Sequence, residues 1–407
     1  MIFKLFIPFM LFFLVLNIYL LTSPGVTYYD YFTRLSKSLI NGKLYVIENP
    51  SWLNELIPVG DKYYVALPPM PAIVMMPFVY IFGPNFSETY FSIVLGSINV
   101  VLVYLLLKRL NFYDASSVFV AIFFAFGTNH WFAASVGSSW YLAHIVAVFL
   151  TLLALIESAG KKRLWLIGLL IGAGFWARTS VLFTVLFFYI YLWKDLWIFK
   201  KNPVLFLKEF KLTNLFEFNL KNLTNFIIFN STIFLFILFD SLYNYARFGD
   251  FSPFSPYRLI QNVDTNTVVN GVYMSIMYIP RHIDALIFRL PKFSETFPYM
   301  TPSLYATAIW FTSPVLIYIF IVKRSLLKWA CWLAILPTFF IVIQWAGVGF
   351  SQFGYRFALD FMPFLLILLA LGLGQKPSKF AYFLLTLSIL VNAWGTIILN
   401  KYGIYIM

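Results

Sequence analysis

A chain of 407 residues with one cysteine and three histidines has few ways to hold itself together by covalent or metal links. A single Cys331 inside an apolar run excludes an intrachain disulfide and a cysteine metal cluster. Histidines do not recur at ligand spacing, and the carboxylates of the first long polar stretch, Glu48, Glu55 and Asp61, form no dense metal-binding motif. No cofactor is therefore expected, and a divalent metal has only those three side chains as candidates. Charge is scarce as well, at 11% of residues, while 61% are hydrophobic and mean hydropathy is +0.83. That balance excludes a soluble domain of this length. Alternating ten-residue segments are absent, which excludes a membrane β-barrel. Also missing are a Gly-rich phosphate loop and an Asp-x-Asp pair, so a cytosolic nucleotide-sugar donor is disfavoured.

What remains is an all-α, polytopic helical membrane protein forming one integral domain over 1–407. A net charge of +13 would suggest nucleic acid in a soluble chain, but here the basic residues sit in short loops beside apolar runs. They read as orientation signals, and no nucleic-acid partner is expected. About eleven spans follow: roughly 2–22, 88–107, 115–133, 139–157, 164–178, 180–198, 226–243, 303–322, 329–347, 358–373 and 380–399. The first is expected to be an uncleaved span, since no small-residue cleavage site follows it. Placing Lys4, Lys108–Arg109, Lys161–Arg163, Lys200–Lys201, Lys323–Arg324 and Lys376 on the inside puts the N-terminus in the cytoplasm and the C-terminus outside the cell membrane. The basic, Phe- and Leu-rich connector 200–224 suits an anionic inner leaflet.

Two long segments then lie outside, at 23–87 and 246–302. The first is the more informative. Asp30, Thr33, Arg34 and Lys37 share one helical face while Phe32, Leu35 and Leu39 share another, the pattern of an amphipathic surface helix. Asn41-Gly42 ends it, and Pro68-Pro69 starts a second apolar helix of about a dozen residues, too short to cross. Ionisable residues gather on the same side. Tyr29 and Asp30 open the helix, His130 lies beside Trp131, Arg178 closes the fifth span, and Asp240 and Arg247 flank the end of the seventh. Arg258, Arg281, His282, Arg289 and Lys292 follow along the second segment, with Arg356 and Asp360 where the tenth span begins.

Arginine's planar fork matches phosphate oxygens, and a carboxylate at the same depth can take a proton from an acceptor hydroxyl. The candidates are thus Asp30 as general base and Tyr29, Arg34, His130, Arg178, Arg247, Arg281, His282 and Arg356 as substrate contacts. Each has a plainer reading too. Asp30 can pair with Arg34 one turn later, Arg178 can snorkel to the interface, His130 and His282 can be structural hydrogen-bonders, and Asp240 and Asp360 can balance Arg247 and Arg356 within their own loops.

The arrangement of YYDYFTRLSKSLINGKLY, LPPMPAIVMMPFVYIFG, GLLIGAGFWARTS, YNYARFG and FGYRFALDFMPF resembles the GT-C superfamily of integral-membrane glycosyltransferases, which includes protein O-mannosyltransferases and the bacterial aminoarabinose transferase. The resemblance implies a polyprenyl-phosphate-linked sugar donor, a glycan, lipid or protein acceptor, and extracytoplasmic transfer with Asp30 as base. Two departures stand out. Asp30 is flanked by Tyr29 and Tyr31 where the family often has an acidic pair, and with no soluble domain after the last expected span, acceptor recognition falls to the outer segments. The competing class is a transporter or lipid flippase, which calls for half-helices broken at mid-membrane, inverted repeats and ionisable groups near the bilayer centre.

Overall fold

The structure, a computed structural model, describes residues 2–198, 219–252, 256, 259–260 and 267–405. Arg258 and most of the 200–224 connector lie outside the described residues. Helices dominate: α1 (Ile2–Thr22), α2 (Tyr31–Ile40), α3 (Met70–Phe82), α4 (Glu88–Arg109), α5 (Asp114–Phe126), α6 (His130–Val136), α7 (Ser139–Ser158), α8 (Leu164–Phe175), α9 (Val185–Tyr191), α10 (Trp193–Leu196) and α11 (Leu220–Phe248). After the second long segment come α12 (Leu326–Val342), α13 (Met362–Leu373) and α14 (Lys379–Ile397).

Local chemistry sets many of these boundaries. The Ser87 side chain accepts from the Tyr90 N–H to start α4, Glu88 sits in its first turn, and Lys108 and Arg109 sit in its last, each complementing the helix dipole. Ser325, Ser378 and Asn219 cap α12, α14 and α11 in the same way. In the first long polar segment, α2 ends at Asn41 with Gly42 at φ +68°, and Pro69 precedes α3. The Ser36 hydroxyl on α2 lies 2.7 Å from the carbonyls of both Phe32 and Ala72, within donating reach of either, and the second contact docks α2 against α3.

Among the described residues, α4, α7, α11 and the stretch Lys379–Tyr402 are long and apolar enough to cross a membrane, and α5 with α6, bent by 53°, makes a fifth if the pair is one span. Several of the eleven expected spans are shorter or interrupted. The fifth stops after 12 residues at Phe175. The sixth begins as a 3-10 turn over Thr179–Thr184, and the eighth breaks at Ser313 between a four-residue helix and a 3-10 helix over Pro314–Ile321. Pro314 explains that last break, because its ring removes an N–H and disfavours a helical residue before it. The two long segments 23–87 and 246–302 also hold two small antiparallel hairpins, β1 (Leu56–Val59) with β2 (Lys62–Val65) and β3 (Lys292–Phe293) with β4 (Met300–Thr301). The all-α expectation is corrected to that extent.

Packing is closest where α8 crosses α11. A Cβ at Gly168 would lie 2.2 Å from Thr232 Oγ1 and 2.3 Å from the Phe229 carbonyl oxygen, and one at Gly172 would lie 2.5 Å from the Phe236 ring. Glycines four apart let two apolar helices approach at backbone distance. Turns at the two ends of the bundle differ in character. At one end Gly160 lies against Arg109, Lys162 pairs with Asp195 at 3.5 Å, and Gln375 bonds the backbone of Tyr113 and Asn111. At the other, the backbone of Thr27 meets Thr89, Trp131 donates to Thr22, and the Met70 N–H donates to the Trp176 carbonyl. The short basic turns and the first long polar segment therefore occupy opposite ends.

Candidate active site

The N-terminus of α7 forms the centre of that second end. Its cap serines and first turn, SSWYLAH, reach four different elements. The Ser139 N–H donates to the Tyr29 carbonyl at 3.2 Å, and its hydroxyl, which donates to Glu88 Oε2 at 2.7 Å, lies 2.9 Å from the same carbonyl. Trp140 Nε1 donates to Glu55 Oε2 at 2.8 Å, with its ring 4.8 Å from Tyr29 and 5.7 Å from Tyr31. Tyr141 donates to the Ser351 carbonyl, and its ring lies 5.2 Å beneath the Arg356 guanidinium. One turn on, His144 Nδ1 is 2.6 Å from Asp360 Oδ1.

Asp30 immediately precedes α2. Its Oδ1 accepts from Arg34 Nε at 2.8 Å, and no described residue hydrogen-bonds its Oδ2. Arg34 is also paired with Glu48, which lies 3.8 Å from Lys37. Asp30 thus pairs with Arg34 one turn later and keeps one carboxylate oxygen over. Burial raises the pKa of Glu55, against the hydrogen bond from Trp140 and the positive charge of Arg356.

Asp360 does not balance Arg356 as its loop position suggested. It is 2% exposed and accepts from Arg178 Nη2 at 3.0 Å, Arg178 Nε at 3.2 and 3.3 Å, and Ser180 Oγ at 2.5 Å, as well as facing His144. Helix α8 ends just before Arg178, whose extended backbone carries the chain towards Asp360. Arg356 Nη1 donates to the Phe350 carbonyl at 3.2 Å, and its buried Nε has no hydrogen-bond partner among the described residues. The guanidinium carbons of Arg178 and Arg356 lie 5.3 and 5.4 Å from the centroid of one ring, Phe357. Burial lowers the pKa of Arg356, partly offset by Tyr141.

The other predicted residues sit apart from this cluster. His130 is fully buried between α1 and α5, with Nδ1 3.0 Å from the Tyr19 hydroxyl. Arg247 is buried beneath the first hairpin, donating to the Val65 carbonyl at 2.7 Å and Asn244 at 2.7 Å, and stacking 3.7 Å over Tyr243. Asp240 accepts from Trp176 Nε1 at 3.1 Å. Arg281 is exposed and donates to the Thr267 carbonyl. His282 is buried, with Nε2 2.8 Å from the Trp345 carbonyl and Nδ1 2.6 Å from the Tyr355 hydroxyl. A carbonyl only accepts, so Nε2 carries the proton and Nδ1 accepts from Tyr355. Among the described residues no three His, Cys, Asp or Glu side chains are grouped to hold a metal ion.

No family model matches the chain, and no curated protein matches it. In structure it is similar to the archaeal oligosaccharyltransferase AglB from Archaeoglobus fulgidus, solved in complex with an inhibitory peptide and a dolichol-phosphate. The TM-score is 0.48 and the identity 14%, over 98% of this chain and 56% of that one. The chain thus spans little more than half the length of that structure.

Sequence reasoning missed His144, Ser180, Glu88 and Trp140. A signal existed for two of them. His144 is an ionisable residue inside an apolar span, which by itself flags a site, and Glu88 is a carboxylate at the mouth of another.

Proposed function

We propose that the chain is a glycosyltransferase that moves a sugar from a polyprenyl-phosphate-linked donor to an acceptor on the extracytoplasmic side of the membrane. The observation that carries this reading is the pair of arginines flanking Phe357. Asp360 neutralises Arg178, whereas among the described residues Arg356 has no carboxylate within ion-pairing distance. A partly buried cation beside a neutralised one favours an incoming anion, and guanidinium forks suit phosphate. The apolar helices around it suit a lipid tail.

In the proposed reaction the acceptor oxygen bonds to the sugar C1 as its proton passes to Asp30 Oδ2. The C1–O bond to phosphate breaks, and polyprenyl phosphate leaves with the electron pair, its added charge met by Arg356 and the outward N–H groups of Arg178. Arg34 holds Asp30 Oδ1 and leaves Oδ2 for the proton. General-base assistance of this kind is worth about 10²–10⁴-fold in rate. The test uses purified protein, a polyprenyl-phosphate hexose and an acceptor-containing membrane extract, with release of polyprenyl phosphate measured. Asp30→Asn should lower release by at least that lower bound while the protein stays folded. Unchanged release would remove Asp30 from the chemistry.

A further inference from the structure

Asp30 occupies the residue before α2 where an aspartate ordinarily caps the helix. An N-cap carboxylate normally accepts from the second or third backbone N–H of its helix, because those donors have no intrahelical partner. Here the Asp30 side chain makes no such bond. The N–H of Thr33, third residue of α2, donates instead to Glu88 Oε1 at 2.8 Å. Glu88 belongs to another element, the first turn of α4, and is 1% exposed. Its second oxygen, Oε2, accepts from the Ser139 hydroxyl at 2.7 Å, and Thr33 Oγ1 donates to the Phe86 carbonyl at 3.0 Å. One buried carboxylate thus joins the starts of α2, α4 and α7.

We infer that Glu88 is a positioning residue that caps α2 from outside the helix and so keeps the Asp30 carboxylate off the backbone and available to the site. The role given to Asp30 rests on the function proposed above; the substitution of one cap by another does not. With Thr33 already satisfied, Asp30 gains nothing by turning inward, and Arg34 takes its Oδ1 at 2.8 Å. Removing the Glu88 carboxylate orphans the Thr33 N–H and makes the inward rotamer of Asp30 favourable.

A stability cycle on the full-length protein in detergent reads this directly. Asp30→Ala is expected to cost about 2 °C more in Tm in the Glu88→Ala background than alone, because only there does Asp30 serve as the cap. Equal costs in the two backgrounds would overturn the inference. If Glu88→Ala yields no folded protein, amide exchange at Thr33 decides: protection should persist in Asp30→Ala, and its loss would assign the cap to Asp30 and overturn the inference. In the release assay with a polyprenyl-phosphate hexose, Glu88→Ala should lower kcat about tenfold or more with donor KM unchanged, and Glu88→Gln, which keeps an acceptor oxygen for Thr33, should restore most of it. Failure of Asp30→Asn to affect release would sink the proposed reaction and leave the cycle standing; an additive cycle would sink the capping role alone.

Discussion

Arg178 and Asp360 are 182 residues apart in sequence, yet Nη2 of one lies 3.0 Å from Oδ2 of the other. The pair ties the end of α8 to the start of α13 and is sealed by Ser180 and His144. It also decides which of the two neighbouring arginines is left without a salt bridge among the described residues, and several expectations rest on that division.

Breaking the pair from the acidic side leaves a partly buried cation without its counterion. Asp360→Ala is expected to destabilise the protein by about 3–5 kcal/mol. Thermal unfolding in detergent checks this. A shift no larger than that of an exposed control such as Glu295→Ala would mean the pair contributes little.

Arg356 and Arg178 should differ in kind. Arg356→Ala is expected to weaken donor binding by tenfold or more with little loss of Tm, since it breaks no ion pair among the described residues, while Arg178→Ala should lower both. Arg356→Lys should not rescue binding fully, because an ammonium cannot reproduce the planar fork. Donor titration and thermal unfolding on the same preparations separate the two.

Stability should fall as the medium is acidified through the range set by His282. Burial, opposed by the Trp345 carbonyl, lowers its pKa from 6.5 to about 4. The unfolded chain therefore binds a proton that the folded one does not between those values. Stability from this group is complete above the unfolded pKa and is lost as pH falls towards the folded one, by up to on the order of 3 kcal/mol. His282→Gln should flatten the curve of unfolding free energy against pH between 6.5 and 4.

The crossing of α8 and α11 leaves no room for a methyl group at Gly168. Gly168→Ala should cost about 1–3 kcal/mol through forced separation of the helices. Gly374→Ala provides the contrast: nothing lies within 4 Å of its added Cβ, and any loss there comes from its φ of +68° alone.

How much of this was legible beforehand follows the range of the forces involved. The extent of α2, its Asn41-Gly42 stop and the restart at Pro69 could be read because caps and prolines act within a turn or two. The β1–β2 hairpin was overlooked despite a local signal, Gly60-Asp61 between LIPV and KYYV, with Gly60 at φ +62°. Hydropathy marked apolar runs but not their continuity: the break at Ser313–Pro314 and the early end of α8 depend on backbone geometry that averaging over a window hides. Partner choice among distant charges was beyond reach. Asp360 lies four residues from Arg356 and 182 from Arg178, and only the fold brings the latter close enough to win.

Titration of the purified protein with a polyprenyl-phosphate hexose, comparing wild type with Arg356→Ala, tests the central claim most directly. Saturable binding weakened at least tenfold by the substitution is predicted. Equal affinity in the two proteins, or no saturable binding in either, would contradict the assignment of this end of the bundle to a lipid-linked phosphate.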